Sequence, residues 1–527
     1  MIGNSTASTR KTAGVEVATG NLTLFLYSHY SATDMRKVPS GIAPIISLDR
    51  NAPQTLQKQI YDGYRSAIVE RRLRSGQRVA SSRVLAGELG VSRIPVLNAY
   101  AQLLAEGYFE SRVGSGTVVA RSLPDQFGFP RERKQRITRP EPKARNTSRR
   151  FNGLPKVALE PWSRQKGAFG VGQIAFDAFP FALWSRLTVR HARRVGPTSL
   201  HYGDAMGSRE LREAISSYLA VARGVRCDPS QVMIVSGSQH ALELSARVIL
   251  DRGSKVWMEE PGYPLARHVF ALAGCRLIPV PVDRQGLDVA AGMRDCREAR
   301  AAFVTPSHQY PLGVTMTASR RFELLNWAQE AGSWIIEDDY DSEYRYESKP
   351  VASLQGLDSN FRVIYVGTFS KVLFPSLRLG YVVIPPDLIA EFLTVRRSFD
   401  LGSPTFLQSV LADFIREGHF SRHIRRMRTL YSERRNVLVA SLQEEFGSSV
   451  DVLGSEAGMH LVVTFKGKIN DKRLSEQAAS QRLWLWPLSP CYLGQGARAG
   501  FILGFASTPA EEIPASVRRL KKLLRVN

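Results

Sequence analysis

Five times between residues 231 and 371 an apolar run stops abruptly at a polar or glycine-bearing loop. The runs are QVMIVSGS (231–238), SKVWMEEPGY (254–263), AAFVTPSHQYP (301–311), SWIIEDDY (333–340) and RVIYVGTFSK (362–371), with helical patterns between them. Strands of this kind, alternating with helices, predict an α/β fold: a mainly parallel sheet with helices on both faces. Ligands of such sheets sit off the carboxyl ends of the strands, so all five loops are expected to gather at one edge. From about residue 405 the pattern becomes a long basic helical region and then a smaller α+β part.

The N-terminal third reads differently. PQTLQKQIYDGYRSAIVERRL (53–73) carries Leu56, Ile60, Tyr64, Ile68 and Leu73 at near-helical spacing, with Pro53 suited to a first turn. SSRVLAGELG (81–90) predicts a short serine-capped helix. VSRIPVLNAYAQLLAEG (91–107) predicts a helix with Ser92 as N-cap, and YFESRVGSGTVVA (108–120) two short strands around a Gly-Ser-Gly turn. Helix, short helix, turn, helix and hairpin make a winged helix-turn-helix.

Between these parts the texture is that of a tether. RERKQRITRPEPKARNTSRR (131–150) is charged, proline-punctuated and almost without aliphatics, so it cannot bury enough apolar surface to fold alone. The expected organisation is a disordered tail over 1–45, a winged helix over 46–120, a basic flexible linker over 121–166 and the α/β body over 167–527. Charge follows the same division. Residues 1–166 hold 27 Lys and Arg against 12 Asp and Glu, while the rest of the chain holds 44 against 36. A basic field of this kind attracts phosphate backbones or anionic membranes. Cys227, Cys275, Cys296 and Cys491 form no CxxC pair, which argues against a disulfide framework or metal site and fits a reducing cytoplasm. No run of 18 apolar residues is present, and LTLFLY (22–27) is too short for a signal-peptide core, so neither a membrane span nor export is expected.

Recognition helices present their N-terminal side chains to the major groove. Here these are Ser92 and Arg93, with Asn98 further along, and Arg93 is the candidate for bidentate contact with guanine. Arg83 in the preceding helix and Arg112 in the wing would lie near phosphates, where Gly114 and Gly116 allow close approach. SSRVLAGELGVSR…GYFESRVGSGTVV resembles the GntR family over about 70 residues. The resemblance implies contact with a double-stranded DNA operator through Arg83, Ser92, Arg93 and the Gly114–Gly116 wing. Ile94-Pro95 departs from the small polar residues usual there; proline in a first turn costs little, because that amide is unpaired.

The loops of the body suit a phosphorylated aldehyde. Lys371 offers an amine to condense with it. A pyridine nitrogen needs a carboxylate to stay protonated, and Asp338 in EDDY supplies one; Tyr340, two residues on, points the same way and can bond a ring hydroxyl. SGSQHALELSA (236–246) offers helix-start amides at Gly237, Ser238 and Gln239 for a phosphate, with Ser370 and Arg378 completing the cup. Tyr263 is placed to stack on the ring. These motifs resemble the fold-type I pyridoxal-phosphate aminotransferases over roughly 170–525. The resemblance implies Lys371 as the cofactor lysine, Asp338 and Tyr340 as ring partners, and Tyr202 in HYGDAMGSRELR as a tyrosine lent to the partner subunit's phosphate in a homodimer. Two departures stand out. Tyr310 in QYPLG occupies the place of the family's ring-bonding asparagine. The late arginine that grips a substrate carboxylate has no clean match, Arg498 lying just outside the expected strand position.

Taken together, the head, tether and body resemble the MocR/GabR-type subfamily of GntR regulators. That implies a transcriptional regulator using pyridoxal 5'-phosphate in a sensor of an amino compound, or of the cofactor itself. The alternative is a working aminotransferase with an accessory DNA-binding head. No catalytic residue is assigned.

Overall fold

The computed structural model describes residues 43–44, 46–112, 116–121, 166–197, 201–346, 351–494 and 496–525. The chain divides into two compact units, Met1–Arg145 and Asn146–Asn527. That boundary falls within the expected linker, nearly all of which lies outside the described residues, as do almost all of 1–45.

In the first unit α1 (Leu56–Val69), α2 (Ser82–Leu89) and α3 (Arg93–Ala105) precede the hairpin β1 (Phe109–Arg112) and β2 (Gly116–Val119). α1 starts later than Pro53 suggests because Thr55 caps it, its hydroxyl accepting from Lys58 N. Ser81 caps α2 in the same way through Val84 N. Ser92 takes the N-cap position of α3 but makes no side-chain capping bond, which leaves its hydroxyl outside the helix's own ladder. The antiparallel hairpin pairs Phe109 with Val119 and Arg112 with Gly116. Tyr64, Tyr100 and Phe109 meet edge to face at 5.2–5.4 Å. The two buried hydroxyls are satisfied by each other at 2.8 Å and by Ala80 O. Rings of this size dominate a small core. Ala43, Ile46 and Leu48 also pack on it, so the domain begins slightly before the expected residue 46.

In the second unit α4 (Phe181–Ala192) and α5 (Arg209–Arg223) come first. Then follow β3 (Val232–Val235), α6 (Ser238–Ile249), β4 (Lys255–Glu260), α7 (Pro264–Leu272), β5 (Arg276–Asp283), β6 (Gly286–Leu287), α8 (Val289–Cys296), β7 (Ala301–Val304), α9 (Ala318–Glu330), β8 (Trp334–Asp339), α10 (Leu354–Leu357), β9 (Val363–Thr368) and β10 (Gly380–Val383). They build one eight-stranded sheet in the order β3-β10-β9-β8-β7-β4-β5-β6. Neighbours from β9 through β8, β7 and β4 to β5 are parallel. β10 runs antiparallel to both β9 and β3, a reversal the apolar pattern alone does not reveal. Because β3 and β9 both oppose β10, the five expected strands share one direction and their carboxyl ends share one edge. β3, β7, β8, β9 and β10 are buried along their whole length. Alternate residues feed opposite layers: Val232 and Ile234 join one core, Met233 and Val235 the other.

α11 (Ile389–Phe399), α12 (Phe406–Arg416) and the 28-residue α13 (His419–Phe446) lead to β11 (Val450–Leu453), β12 (His460–Phe465), α14 (Asp471–Ser480), β13 (Trp486–Pro487), β14 (Gly500–Gly504) and α15 (Ile513–Arg525). A four-stranded antiparallel sheet in the order β11-β12-β14-β13 results. Residues 168–173 lie across this smaller part. Ala168 N donates to Arg482 O, Trp484 N to Ala168 O, and Gly504 N to Phe169 O. Among the described residues, no helix is long and apolar enough to cross a membrane.

Candidate cofactor site and nucleic-acid interface

The carboxyl edge of the large sheet collects the expected side chains of the second unit. The three carboxylates of EDDY, all buried, are sorted by their partners. Glu337 accepts the backbone N–H groups of Leu354 and Gln355. Asp339 Oδ2 takes Arg223 Nε at 2.7 Å and the Tyr365 hydroxyl at 2.5 Å. Burial alone would raise the Asp339 pKa, but the Arg223 charge and the Tyr365 hydrogen bond hold it below its ordinary value. Asp338 keeps Oδ1 without a partner. Burial, then the charges of Asp339 and Asp341, push its pKa up to about 8, with Lys371 pulling the other way. Asp339 Oδ1 also lacks a partner, but Asp339 is balanced by Arg223, whereas no ion pair reaches Asp338 among the described residues; a buried acid so placed suits a cationic ring nitrogen.

Lys371, three residues past Thr368 at the end of β9, donates from Nζ to Gly172 O at 3.3 Å. α6 begins at Ser238 with Gly237 as its N-cap at φ 129°. A Cβ at Gly237 would sit 3.6 Å from both terminal nitrogens of Arg378. Gln239 Nε2 is buried without a partner. The start of a twelve-residue helix, an adjacent guanidinium and an orphaned donor form a cradle for a phosphate. Ser370 directly precedes Lys371 in the chain, its N–H bonded to Thr368 Oγ1. Behind the cradle, His240 accepts or donates at Ser236 Oγ and faces Arg396. Burial and then that charge lower its pKa to about 4.

Tyr263 packs edge to face on Tyr310, centroids 5.3 Å apart, and Tyr310 in turn approaches Tyr340 and His460. Tyr340 does not stand free toward the site. Its hydroxyl donates to His308 O at 2.9 Å and lies 3.0 Å from His308 Nδ1. His308 and Asp341 are residues the sequence reading passed over. SHQYP drew attention to its tyrosine, yet a histidine in a loop at this edge was itself a signal. Glu259, at the end of β4, was also missed. It accepts from Thr305 Oγ1, Thr305 N and Gln309 Nε2, and burial raises it to about 7. Arg498 lies just outside the strand, as expected. It is exposed in the loop before β14 and donates to Thr464 Oγ1, so β12 holds its head. Tyr202 is 88% exposed.

In the first unit, α3 presents Arg93 at its start with Nε 3.1 Å from Ser82 Oγ. Asn98 lies further along the same helix and Arg83 in the first turn of α2. Ile94 and Leu97 are exposed large apolar residues on α3, which a groove-reading helix would cover. Arg112 ends β1. Gly116 opens β2 with φ +80°, and a Cβ there would come within 3.4 Å of the Arg78 guanidinium. Gly114 lies outside the described residues.

Residues 167–520 match the family described as aminotransferase class I and II, and residues 56–119 match that of bacterial regulatory proteins, gntR family. The chain belongs to the GntR-type transcriptional regulators that carry an aminotransferase class I and II domain. Within that class it is 40% identical over 480 residues to the probable rhizopine catabolism regulatory protein MocR of Rhizobium meliloti, covering 90% of this chain and 95% of that one. It is 31% identical over 464 residues to the pyridoxine biosynthesis regulator PdxR of Corynebacterium glutamicum, covering 88% and 94%. Among solved structures the kynurenine aminotransferase of Pyrococcus horikoshii, in complex with PMP, superposes with TM-score 0.64 at 29% identity, over 69% of this chain and 92% of that one. The protein is a DNA-binding transcriptional regulator, and its cofactor is pyridoxal phosphate.

Proposed function

We propose that the second unit is a sensor: an amino compound engages the cofactor in place of Lys371, and the resulting state sets the affinity of the winged helix for its operator. The observation that carries this reading is Lys371 at the same sheet edge as an orphaned acid, Asp338, in a chain that also carries a recognition helix. When bound, the cofactor supplies an electrophilic carbon that exchanges one amine for another. The chain's own groups do the rest. Lys371 holds the cofactor covalently. Asp338 keeps a proton on the ring nitrogen, Tyr340 bonds the ring hydroxyl, and Tyr263 covers a ring face. The amides of Gly237, Ser238 and Gln239, with Ser370 and Arg378, hold the phosphate. Arg93 reads bases, Arg83 and Arg112 hold phosphates, and Gly114 and Gly116 let the wing approach. The exposed Tyr202 reaches the partner subunit's phosphate in a homodimer, which presents two winged helices to two half-sites. Such a regulator works on DNA in the cytoplasm.

The experiment is a panel of amines titrated into the loaded full-length protein, with absorbance and operator affinity read in parallel. A compound that changes both is the expected result. Amines that shift the absorbance while leaving operator affinity unchanged would overturn the sensor reading. Borohydride reduction should fix the cofactor on Lys371; a covalent adduct surviving Lys371→Ala would remove that assignment.

A further inference from the structure

The Tyr340 hydroxyl is held from two sides by a single residue. His308 offers its carbonyl oxygen, which accepts the phenol proton at 2.9 Å, and its Nδ1, 3.0 Å from the phenol oxygen. Nδ1 also faces Asp341, at 3.1 Å from Oδ1 and 3.2 Å from Oδ2. A carboxylate facing a ring nitrogen fixes the proton there and sets the ring's orientation. Nδ1–H is therefore shared between Asp341 and the Tyr340 oxygen, and His308 Nε2 is left buried without a partner. Asp341 is itself fixed, Oδ2 accepting Met459 N at 3.2 Å. The ring's seat is narrow: Gly458 has φ +74°, and a Cβ there would lie 1.9 Å from His308 Cε1. The His460 ring packs 4.9 Å away and is anchored through Nε2 to Pro311 O.

We infer that His308, oriented by Asp341, is the positioning residue that aims the Tyr340 hydroxyl at the cofactor ring and strengthens it as a donor. A hydroxyl that accepts one hydrogen bond donates a stronger one. With the Nδ1–H tether in place, the phenol proton can turn from His308 O to a ring oxygen while the phenol oxygen stays put. Asp341 shares this proton, and two further neighbours stay neutral. Burial above all lowers the His460 pKa to about 3, so that ring stays neutral. Burial, followed by Asp341, Tyr310, Asp338 and Glu259, raises Tyr340 well above its ordinary value, so the phenol keeps its proton. Among the described residues, Lys371, Asp338, Glu259 and Arg345 are further charged groups acting on this cluster. The inference rests on the cofactor assignment made above.

The test is a spectrophotometric pH titration of the loaded, full-length protein. A donor aimed at the ring oxygen favours the deprotonated chromophore, so losing that donor raises the pH of the visible transition. His308→Gln cannot place an N–H where Nδ1 stands, and its transition should rise by about one pH unit, the size of one hydrogen bond's differential effect. His308→Asn can place an N–H there and should titrate close to wild type. Tyr340→Phe should rise at least as far as His308→Gln, and the two changes combined should not add, as expected for groups acting as a unit. Equal behaviour of the Asn and Gln variants, or additive shifts in the double variant, would overturn the role of His308. A wild-type protein with no visible band and no borohydride adduct would instead overturn the cofactor assignment, and this inference with it.

Discussion

Lys371 Nζ lies 3.3 Å from the carbonyl oxygen of Gly172, and a Cβ on Gly172 would lie 2.2 Å from that nitrogen. Gly172 also has φ +73°, a region where an L side chain costs roughly 1–2 kcal/mol before any clash. The proposed cofactor lysine is thus seated against backbone that only glycine can provide. Gly172→Ala should displace Nζ and lower the fraction of protein whose cofactor is captured by borohydride. The thermal midpoint should fall as well. Mass spectrometry of the reduced protein checks the first outcome and calorimetry the second. Undiminished capture would mean the lysine reaches the cofactor without this seat.

Asp338 ties stability to pH in the cofactor-free protein. It holds its proton up to about pH 8 in the fold, whereas an unfolded aspartate releases it near pH ~4. Between those values the folded state binds the extra proton, so this contribution is present at low pH and lost as pH rises toward 8. Glu259, raised to about 7, acts in the same direction. The thermal midpoint of cofactor-free wild type, minus that of Asp338→Asn, should therefore decline from pH 5 to pH 8. A difference that grows over this interval contradicts the assignment. With the cofactor bound, a cationic ring nitrogen makes the ionised form useful, and the decline should shrink.

What the sequence made legible was local, and what it concealed was long-range. Each of the five strand ends could be located because an apolar run meets a polar stop, and each loop residue inherits its edge from the strand before it. The sorting of Glu337, Asp338 and Asp339 could not be read in this way. It depends on Arg223, 116 positions from Asp339, and on backbone amides that follow β8. β10 was hidden for a related reason: strand direction is set by the connection that precedes it, not by its own side chains. The Gly172 seat escaped because GAFGVGQ looks like a loop until its residues are seen packed against Gly504 at the end of β14. The nearby Arg498 has the right type, but Thr464 holds it on the smaller sheet.

The two arginines of the head should separate on DNA. Arg93 begins α3, where recognition helices meet base edges. Arg93→Ala should cost roughly 1–3 kcal/mol of operator discrimination, with a much smaller loss on random duplex. Arg83, in the first turn of α2, is proposed to serve a phosphate. Arg83→Ala should weaken both duplexes alike and reduce the slope of log affinity against log salt by about one. Competition binding at three salt concentrations measures both quantities. Equal losses on operator and random DNA for Arg93→Ala would take it out of base readout.

Coupling between the two units is the consequence of the sensor reading that binding measurements test most directly. A ligand shifts the balance of two conformations only through its differential affinity for them. A coupling of about 1–3 kcal/mol changes operator affinity by about 5–150-fold, and linkage requires operator DNA to change effector affinity by the same factor. The loaded protein should therefore be titrated with an effector amine by absorbance, with and without saturating operator duplex. Operator binding should then be measured with and without saturating amine. The two ratios should agree within error. Lys371→Ala removes the amine that the effector is proposed to replace, and should leave operator affinity unresponsive to the same compound. If effector affinity is unchanged when DNA is bound, the units act independently, and the aminotransferase-like unit is not the sensor of this regulator.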